Sequence, residues 1–456
     1  MPATPNSPVR AAVLADSDTR WKWGALTARA LAPGADVAAR LLRGRATPTA
    51  RQLADTGVAA DDARETTLTG FLDEVAARGG EAGDAASDGD RDAPYDVLVL
   101  ACVGHTVQAV LQGLARAWPT TARRPVVVTG YCGVVYEKLT EGLLLRHGAD
   151  LLLAGSDWDT RRFRETLTGV GADARPVTTW PLPFLGGEPH DAAPAARGDR
   201  PFRVVFAVQP SVPDTPAARR YLLDRAVGHA RRHPDREVVL KLRSVPGEQT
   251  THVEETPYQR LAARVRGGLP ANVRLAYGHM GALLDTTDLL VTVSSTAALE
   301  SLSRGVPTAV LTDLGVREPL GNHWFTGSDC LASWDELDAG HLPEADPHWL
   351  ADRGVTAPPG APDPGAAARH ALAELLAAAG PGLPPPAPYY GGGRAPGYLP
   401  ALLARHGLDR DGAPLPGRTD RRPPGPVGRL ARRAARGAYR TGVQYVAPMI
   451  RRWGRL

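Results

Sequence analysis

The sequence predicts two doubly wound α/β units in series, and three observations predict it. From Val9 to Phe184, short runs rich in valine and leucine alternate with segments of helical period. The runs are continuously apolar rather than alternating, as strands covered on both faces of a parallel sheet require. A polar break at Gly186 to Arg200, GGEPHDAAPAARGDR, is followed by a second round of the same alternation. At 456 residues the chain has the length for two cores and tails besides.

In the first unit the strand runs are VRAAVLAD, YDVLVLACV, RPVVVTGY and ADLLLAG. Between and after them lie WKWGALTARALA, VQAVLQGLARAW, VVYEKLTEGLLLRHG and DTRRFRETLTGVG, each long enough for a crossover helix. Gly79 to Ala93, small and acidic, reads as an exposed, mobile loop. In the second unit the strands are FRVVFAVQP, REVVLKLRS, NVRLAYG, DLLVTVSS and PTAVLTD, with helices at Ala217 to Arg232, Pro257 to Arg266 and Ala297 to Arg304. Past Asp335 the alternation fades, leaving a helix at Gly365 to Ala379 and the extended stretch PGLPPPAPYYGGG. The predicted division is a first domain over 1–190, a second over 200–380, a Pro/Gly-rich connector over 381–426 and a basic tail over 427–456.

Composition excludes several classes. Hydrophobic residues at 43% and charged residues at 22% rule out a wholly disordered chain. The cysteines Cys102, Cys132 and Cys330 lie far apart with no CxxC spacing, against both a disulfide framework and a zinc site. The start has no basic stretch followed by a sustained apolar run, so no signal peptide is expected, and no apolar run is long enough to span a bilayer. A reducing cytoplasm is the expected home.

Ligands of open α/β sheets bind beyond the carboxyl ends of the strands, so those positions carry the candidates. Ser294, Ser295 and Thr296 end a buried strand where a helix begins, offering hydroxyls and backbone N–H groups to a phosphate or merely capping the helix. Glu300 lies one turn further on, placed for ribose hydroxyls or serving as a first-turn acid. Lys241 and Arg243 end another strand, where cations either neutralise phosphate or sit solvated. His252 follows in a polar loop, with Glu254 and Tyr258 read as capping or packing residues. In the first unit Asp16 and Asp18 follow the first strand, placed as a base or as helix caps. Trp21, Lys22 and Trp23 offer an acceptor platform or core packing. His105 follows another strand, and Gly130, Tyr131 and Gly133 form a glycine turn.

The stretch SSTAALESLSRGVPTAVL resembles the donor-binding signature of glycosyltransferases with two Rossmann-like domains facing across a cleft, the GT-B fold. Its serine pair is similar to the Ser-Ser/Thr motif of bacterial sialyltransferases and capsule polysaccharide transferases. LADSDTRWKWG, GYCGVVYEKLTEGLLLRHGADLLLAGS and KLRSVPGEQTTHVEETPYQRL extend the likeness to an actinobacterial group of glycosyltransferases, from about Val9 to Asp335. One departure stands out: the sialyltransferase pattern has His-Pro after a second-domain strand, where this chain has Lys241 and Arg243, and His233-Pro234 ends a helix instead.

The resemblance implies a transferase moving a sugar from a nucleotide donor, such as a CMP-linked nonulosonic acid, to a cell-surface glycan or its lipid-linked precursor; with cations and a helix dipole at the donor site, neither metal nor cofactor is expected. It implies phosphate contact at the serine pair, Ser294 and Ser295; position at strand ends and helix starts adds Thr296, Glu300, Lys241 and Arg243 as donor contacts, and Asp16, Asp18 or His252 for catalysis. The cleft would be lined by His105, Gly130, Tyr131 and Gly133. A sugar-nucleotide epimerase of the same fold and a catalytically inactive scaffold of polysaccharide assembly stay open as alternatives. The tail, VGRLARRAARGAYRTGVQYVAPMIRRWGRL, has many arginines and aromatics and no acid, which suits an anionic membrane surface on the cytoplasmic side. No nucleic-acid module accompanies those arginines.

Overall fold

The computed structural model describes residues 8–59, 62–78, 93–245, 248, 254, 256–357, 360–391 and 393–416. His252, most of the acidic loop at 79–93 and the whole basic tail lie outside the described residues.

The chain divides into two compact units, one built from residues up to 183 together with those from 360 to 416, the other from 184–357. The first unit runs β1 (Arg10–Ala15), α1 (Asp18–Leu31), β2 (Asp36–Leu42), α2 (Ala50–Ala54), β3 (Asp62–Thr66), α3 (Leu68–Arg78), β4 (Val97–Ala101) and α4 (Gly104–Ala117). It continues with β5 (Val126–Gly130), α5 (Leu139–Leu144), β6 (Leu151–Ala154), α6 (Asp157–Gly169) and β7 (Val177–Thr179). The second runs α7 (Ala193–Ala196), β8 (Phe202–Ala207), α8 (Pro216–Arg232), β9 (Arg236–Lys241), α9 (Tyr258–Ala262), β10 (Val273–Ala276) and α10 (Met280–Leu284). It closes with β11 (Leu289–Thr292), α11 (Ala297–Leu302), β12 (Thr308–Leu311), β13 (Leu331–Ala332), α12 (Trp334–Asp338) and α13 (Pro347–Asp352). Two further helices, α14 (Ala366–Ala379) and α15 (Tyr398–Arg405), return to the first unit.

Both sheets are parallel and Rossmann-like. The first has the order β3-β2-β1-β4-β5-β6-β7 and the second β10-β9-β8-β11-β12-β13. Strand order reverses between β1 and β4 in one unit and between β8 and β11 in the other, where such sheets open a crevice at their carboxyl ends. The central strands are covered on both faces: Val97–Ala101 and Leu289–Thr292 are buried throughout, which explains their unbroken apolarity.

Three structural differences from the sequence reading have physical causes. β2 was hidden by Arg40 in its middle, yet this guanidinium is 1% exposed. It donates to Glu74 Oε2 at 2.9 Å, Tyr95 Oη at 2.7 Å and Asp62 Oδ2 at 3.0 Å, so the buried charge is fully partnered. Trp21 and Trp23 face the core, 0% and 2% exposed, and therefore form no acceptor platform. Residues 366–405, expected partly in the second domain and partly in a connector, fold onto the first sheet: α14 lies against β5, β6 and β7, and α15 against α4. The reason is apolar surface, since Leu399, Leu402, Leu403 and Leu408 complete the cluster that holds Val107, Leu111 and Leu114 of α4.

Candidate functional site

Each unit gathers polar side chains at its switch point. In the second unit, β8 ends at Ala207 and the chain continues through Val208 to Gln209, whose Oε1 accepts the backbone N–H of Ser294 at 3.0 Å. Gln209 is fixed in turn by Arg219 of α8, which donates Nη1 to the Gln209 carbonyl at 2.9 Å and Nε to the Thr256 carbonyl at 2.8 Å. Arg219 is 1% exposed, pairs with Glu254 and lies 4.4 Å from the centre of the Tyr258 ring. Burial pushes the Glu254 carboxyl up to about 7 against the opposing pull of that guanidinium. Tyr258 is fully buried, as a packing residue, edge-on to Phe206.

The candidate donor residues fall around this frame but differ in what they can offer. Ser294 is buried, and its hydroxyl donates to the Leu320 carbonyl at 2.6 Å. The Ser295 hydroxyl accepts the Ala297 N–H at 3.2 Å while staying half-buried, and Thr296 is the N-cap of α11 without a side-chain capping bond. Lys241 ends β9 with its ammonium on the Leu242 carbonyl at 3.0 Å, and its own carbonyl accepts Val208 N–H, so the ends of β9 and β8 are tied together. Arg243 is exposed just beyond. Glu300 is buried within α11, 8% exposed.

The first unit repeats the device. Asp16, directly after β1, accepts the Val103 N–H on Oδ2 at 2.9 Å and Arg20 Nη1 on Oδ1 at 2.8 Å, so its carboxylate clasps the ends of β1 and β4. Ser17 is the N-cap of α1, and Asp18 is a buried first-turn acid whose Oδ1 accepts Thr19 N–H at 2.8 Å. Gly130 ends β5 because a Cβ there would meet Trp23 and the Leu153 carbonyl at 2.9 Å, so its glycine is a packing requirement. Tyr131 stacks under Arg146, whose guanidinium lies 4.1 Å from the ring centre and donates to the Gly130 carbonyl at 3.0 Å. Gly133 lies in the bend that follows. His105 is the second residue of α4, exposed, with Nε2 3.0 Å from the Tyr398 hydroxyl. His406, at the end of α15, is held below its usual range by burial and then by the charges of His105 and Arg405.

Sequence reasoning missed Gln209, Arg219, Glu141 and Tyr398. Gln209 carried a readable signal, a polar side chain straight after the strand FRVVFAV. The other three depend on contacts between distant segments, which no local pattern shows.

Among the described residues, His229, His233 and Asp338 place possible metal-ligand atoms within 4.8 Å of one another. They are already engaged: Asp338 Oδ1 takes His229 Nδ1 at 2.7 Å, Asp338 Oδ2 takes Arg232 at 2.8 Å, and Arg236 approaches His229 Nε2 at 3.3 Å. Arg225, which also reaches Asp338 and Asp335, completes an ion-pair network that ties α8 to α12 and takes up the Asp338 carboxylate. No described helix is long and apolar enough to cross a membrane.

No curated protein matches the sequence. Among solved structures, a UDP-GlcNAc 2-epimerase from Neisseria meningitidis bound to UDP-GlcNAc is similar at 12% identity and a TM-score of 0.45, covering 81% of this chain and 99% of that one. Arabidopsis thaliana UGT89C1 complexed with UDP-L-rhamnose is similar at 10% identity and a TM-score of 0.46, covering 82% and 100%. A UDP-glucosyltransferase from Polygonum tinctorium is similar at 11% identity and a TM-score of 0.45, covering 83% and 95%. Identities this low say nothing about activity. The family is shown by sequence: residues 11–375 match the model described as "Putative glycosyltransferase (DUF6716)", and the chain belongs to that family.

Proposed function

We propose that the protein transfers a sugar from a nucleotide donor to a hydroxyl of a cell-surface glycan or its lipid-linked precursor. The observation that carries this is the frame at the second switch point. Gln209, locked by Arg219, fixes the turn that presents Ser295 and Thr296, with the cationic ends of β9 at Lys241 and Arg243 alongside. A diphosphate or phosphodiester needs that combination of hydroxyl donors and positive charge, and preorganised donors stabilise the charge that grows on the leaving phosphate. Ser294 serves this frame from beneath rather than by touching the phosphate, and Glu300 supports α11. The serine pair makes a CMP-linked nonulosonic acid one donor to test first.

Residues 427–456, read from sequence alone, hold the enzyme on the anionic cytoplasmic face of the membrane, where a lipid-linked acceptor would be met. The function is tested by thermal stabilisation with CMP, UDP, GDP and ADP, because a ligand bound by the native state alone raises Tm. The stabilising nucleotide's sugar conjugates are then supplied with lipid-linked glycan acceptors. The sugar should appear on the acceptor; a sugar isomerised but still attached to its nucleotide would make the protein an epimerase, and no stabilisation by any nucleotide would leave only a scaffold role.

A further inference from the structure

We propose that His105 is the base that removes the acceptor's hydroxyl proton, and that Tyr398 and Glu141 hold its ring in the tautomer this requires. The inference rests on the glycosyl-transfer reading above and assigns its base within the first unit.

The geometry is a three-member relay drawn from three segments. His105 opens α4 directly after β4, beside the switch point with β1. Its Nε2 lies 3.0 Å from the Tyr398 hydroxyl, which donates to Glu141 Oε1 at 3.3 Å. An ionised carboxylate can only accept, so the tyrosine proton points to Glu141 and the tyrosine oxygen is left to accept from the imidazole. That places the hydrogen on Nε2 and the lone pair on Nδ1. Orientation of a histidine through the hydrogen bond of its other nitrogen is how such bases are prepared. Glu141 Oε1 also stands 3.8 Å from Nε2, on the same side of the ring as the tyrosine. The His105 side chain is 47% exposed and its polar contacts in the described residues use Nε2, which leaves Nδ1 for a hydroxyl.

The carboxylates first considered are occupied. Both Asp16 oxygens are bonded, and Asp18 is buried in the first turn of α1. In the step itself, the acceptor O–H proton passes to Nδ1 and the oxygen's electron pair forms the bond to the anomeric carbon. The bond from that carbon to the donor phosphate oxygen breaks, its pair leaving with the nucleotide; the imidazolium then returns its proton to water.

Tyr398 opens α15, beyond residue 375 where the family match ends, and this helix folds onto the first unit. Tyr398 is a positioning residue, and its ring also packs 5.5 Å from Tyr390 and 6.3 Å from His105, contacts that phenylalanine retains.

The test uses the full chain, labelled with ¹⁵N, and the variants H105A, Y398F and E141Q. Two-bond ¹H–¹⁵N spectra report each histidine tautomer, the His105 signals being those lost in H105A. The neutral wild-type ring should be the Nε2–H tautomer, and Y398F and E141Q should mix the two forms, a change that loss of packing alone would not cause. Release of nucleotide from UDP-glucose, UDP-N-acetylglucosamine and CMP-sialic acid, with water as acceptor, should fall roughly 100- to 10,000-fold in H105A with nucleotide affinity unchanged. A wild-type ring carrying its proton on Nδ1 overturns the relay, and wild-type turnover in H105A overturns the base. Wild type that neither binds a nucleotide nor releases one defeats the glycosyl-transfer reading and the base with it, while the tautomer spectrum still judges the relay separately.

Discussion

Gln209 Oε1 accepts the backbone N–H of Ser294 at 3.0 Å, across the point where the second sheet reverses its strand order. The first sheet holds the matching relationship, with Asp16 accepting Val103 N–H at 2.9 Å. In each unit a polar side chain after the first strand captures the backbone after the neighbouring strand. Each bond ties together the carboxyl ends of the two strands that flank the crevice.

Replacing Gln209 by leucine should leave the Ser294 N–H without its acceptor. An unsatisfied, largely buried donor costs about 1–3 kcal/mol, so urea unfolding should show that loss in the second unit. Ser294→Ala, which removes the bond to the Leu320 carbonyl, should cost about 1 kcal/mol with little direct effect on nucleotide affinity. Ser295→Ala with Thr296→Ala should do the reverse, weakening nucleotide binding while Tm holds. Equal stability in Q209L and wild type would show that the clamp is idle.

Gly130→Ala is expected to destabilise the first unit by about 1–3 kcal/mol, because its methyl would press on Trp23 and the Leu153 carbonyl. Gly24→Ala should be at least as damaging, its Cβ falling 2.5 Å from Val13 and 2.9 Å from Ala101. Chemical denaturation of both variants measures this, and neutral results would mean that the α1–sheet contact is looser than these distances say.

The second unit should weaken in acid through His229. Burial, outweighing the Asp338 carboxylate and aided by Arg236 and His233, holds this imidazole down at about 4. A histidine whose native value lies below its unfolded value favours folding while neutral, so its contribution is complete above about pH 6.5 and is lost as pH falls toward 4. The slope from one proton is at most about 1.4 kcal/mol per pH unit. His229→Gln should flatten the difference in stability between pH 7 and pH 5; parallel profiles for variant and wild type would refute it.

What was legible in the sequence follows from burial. VLVLA, VVVTG, LLLA, FRVVFA and LLVT announce β4, β5, β6, β8 and β11 because both faces of each are covered. β3, DARET, is an edge strand with mostly exposed side chains and carries no apolar signal. β2 was obscured by Arg40, whose partners Glu74 and Tyr95 are far away in sequence. At the sites, strand-end position picked out Asp16 after β1, His105 after β4, Lys241 at the end of β9 and Ser294 after β11. It could not tell that the Asp16 carboxylate and the Ser294 hydroxyl are already bonded, nor that Tyr398 reaches His105 from 293 positions away.

Two truncations separate α15 from the tail. Ending the chain at residue 380 removes Leu399, Leu402, Leu403 and Leu408 from the first core and should give an aggregating or poorly cooperative protein. Ending it at 422 should preserve Tm while releasing the protein from phosphatidylserine vesicles, with salt weakening the binding of the full chain. Equal sedimentation of the two longer forms with vesicles would remove the tail as anchor.

Transfer and isomerisation are distinguished by following the sugar of a nucleotide donor by NMR after adding the full chain and lipid-linked glycan. Glycosyl transfer gives loss of the anomeric phosphate signal, stoichiometric release of the nucleotide and a new glycosidic linkage on the acceptor. A new sugar stereoisomer still bonded to the nucleotide, with no nucleotide released, would contradict it.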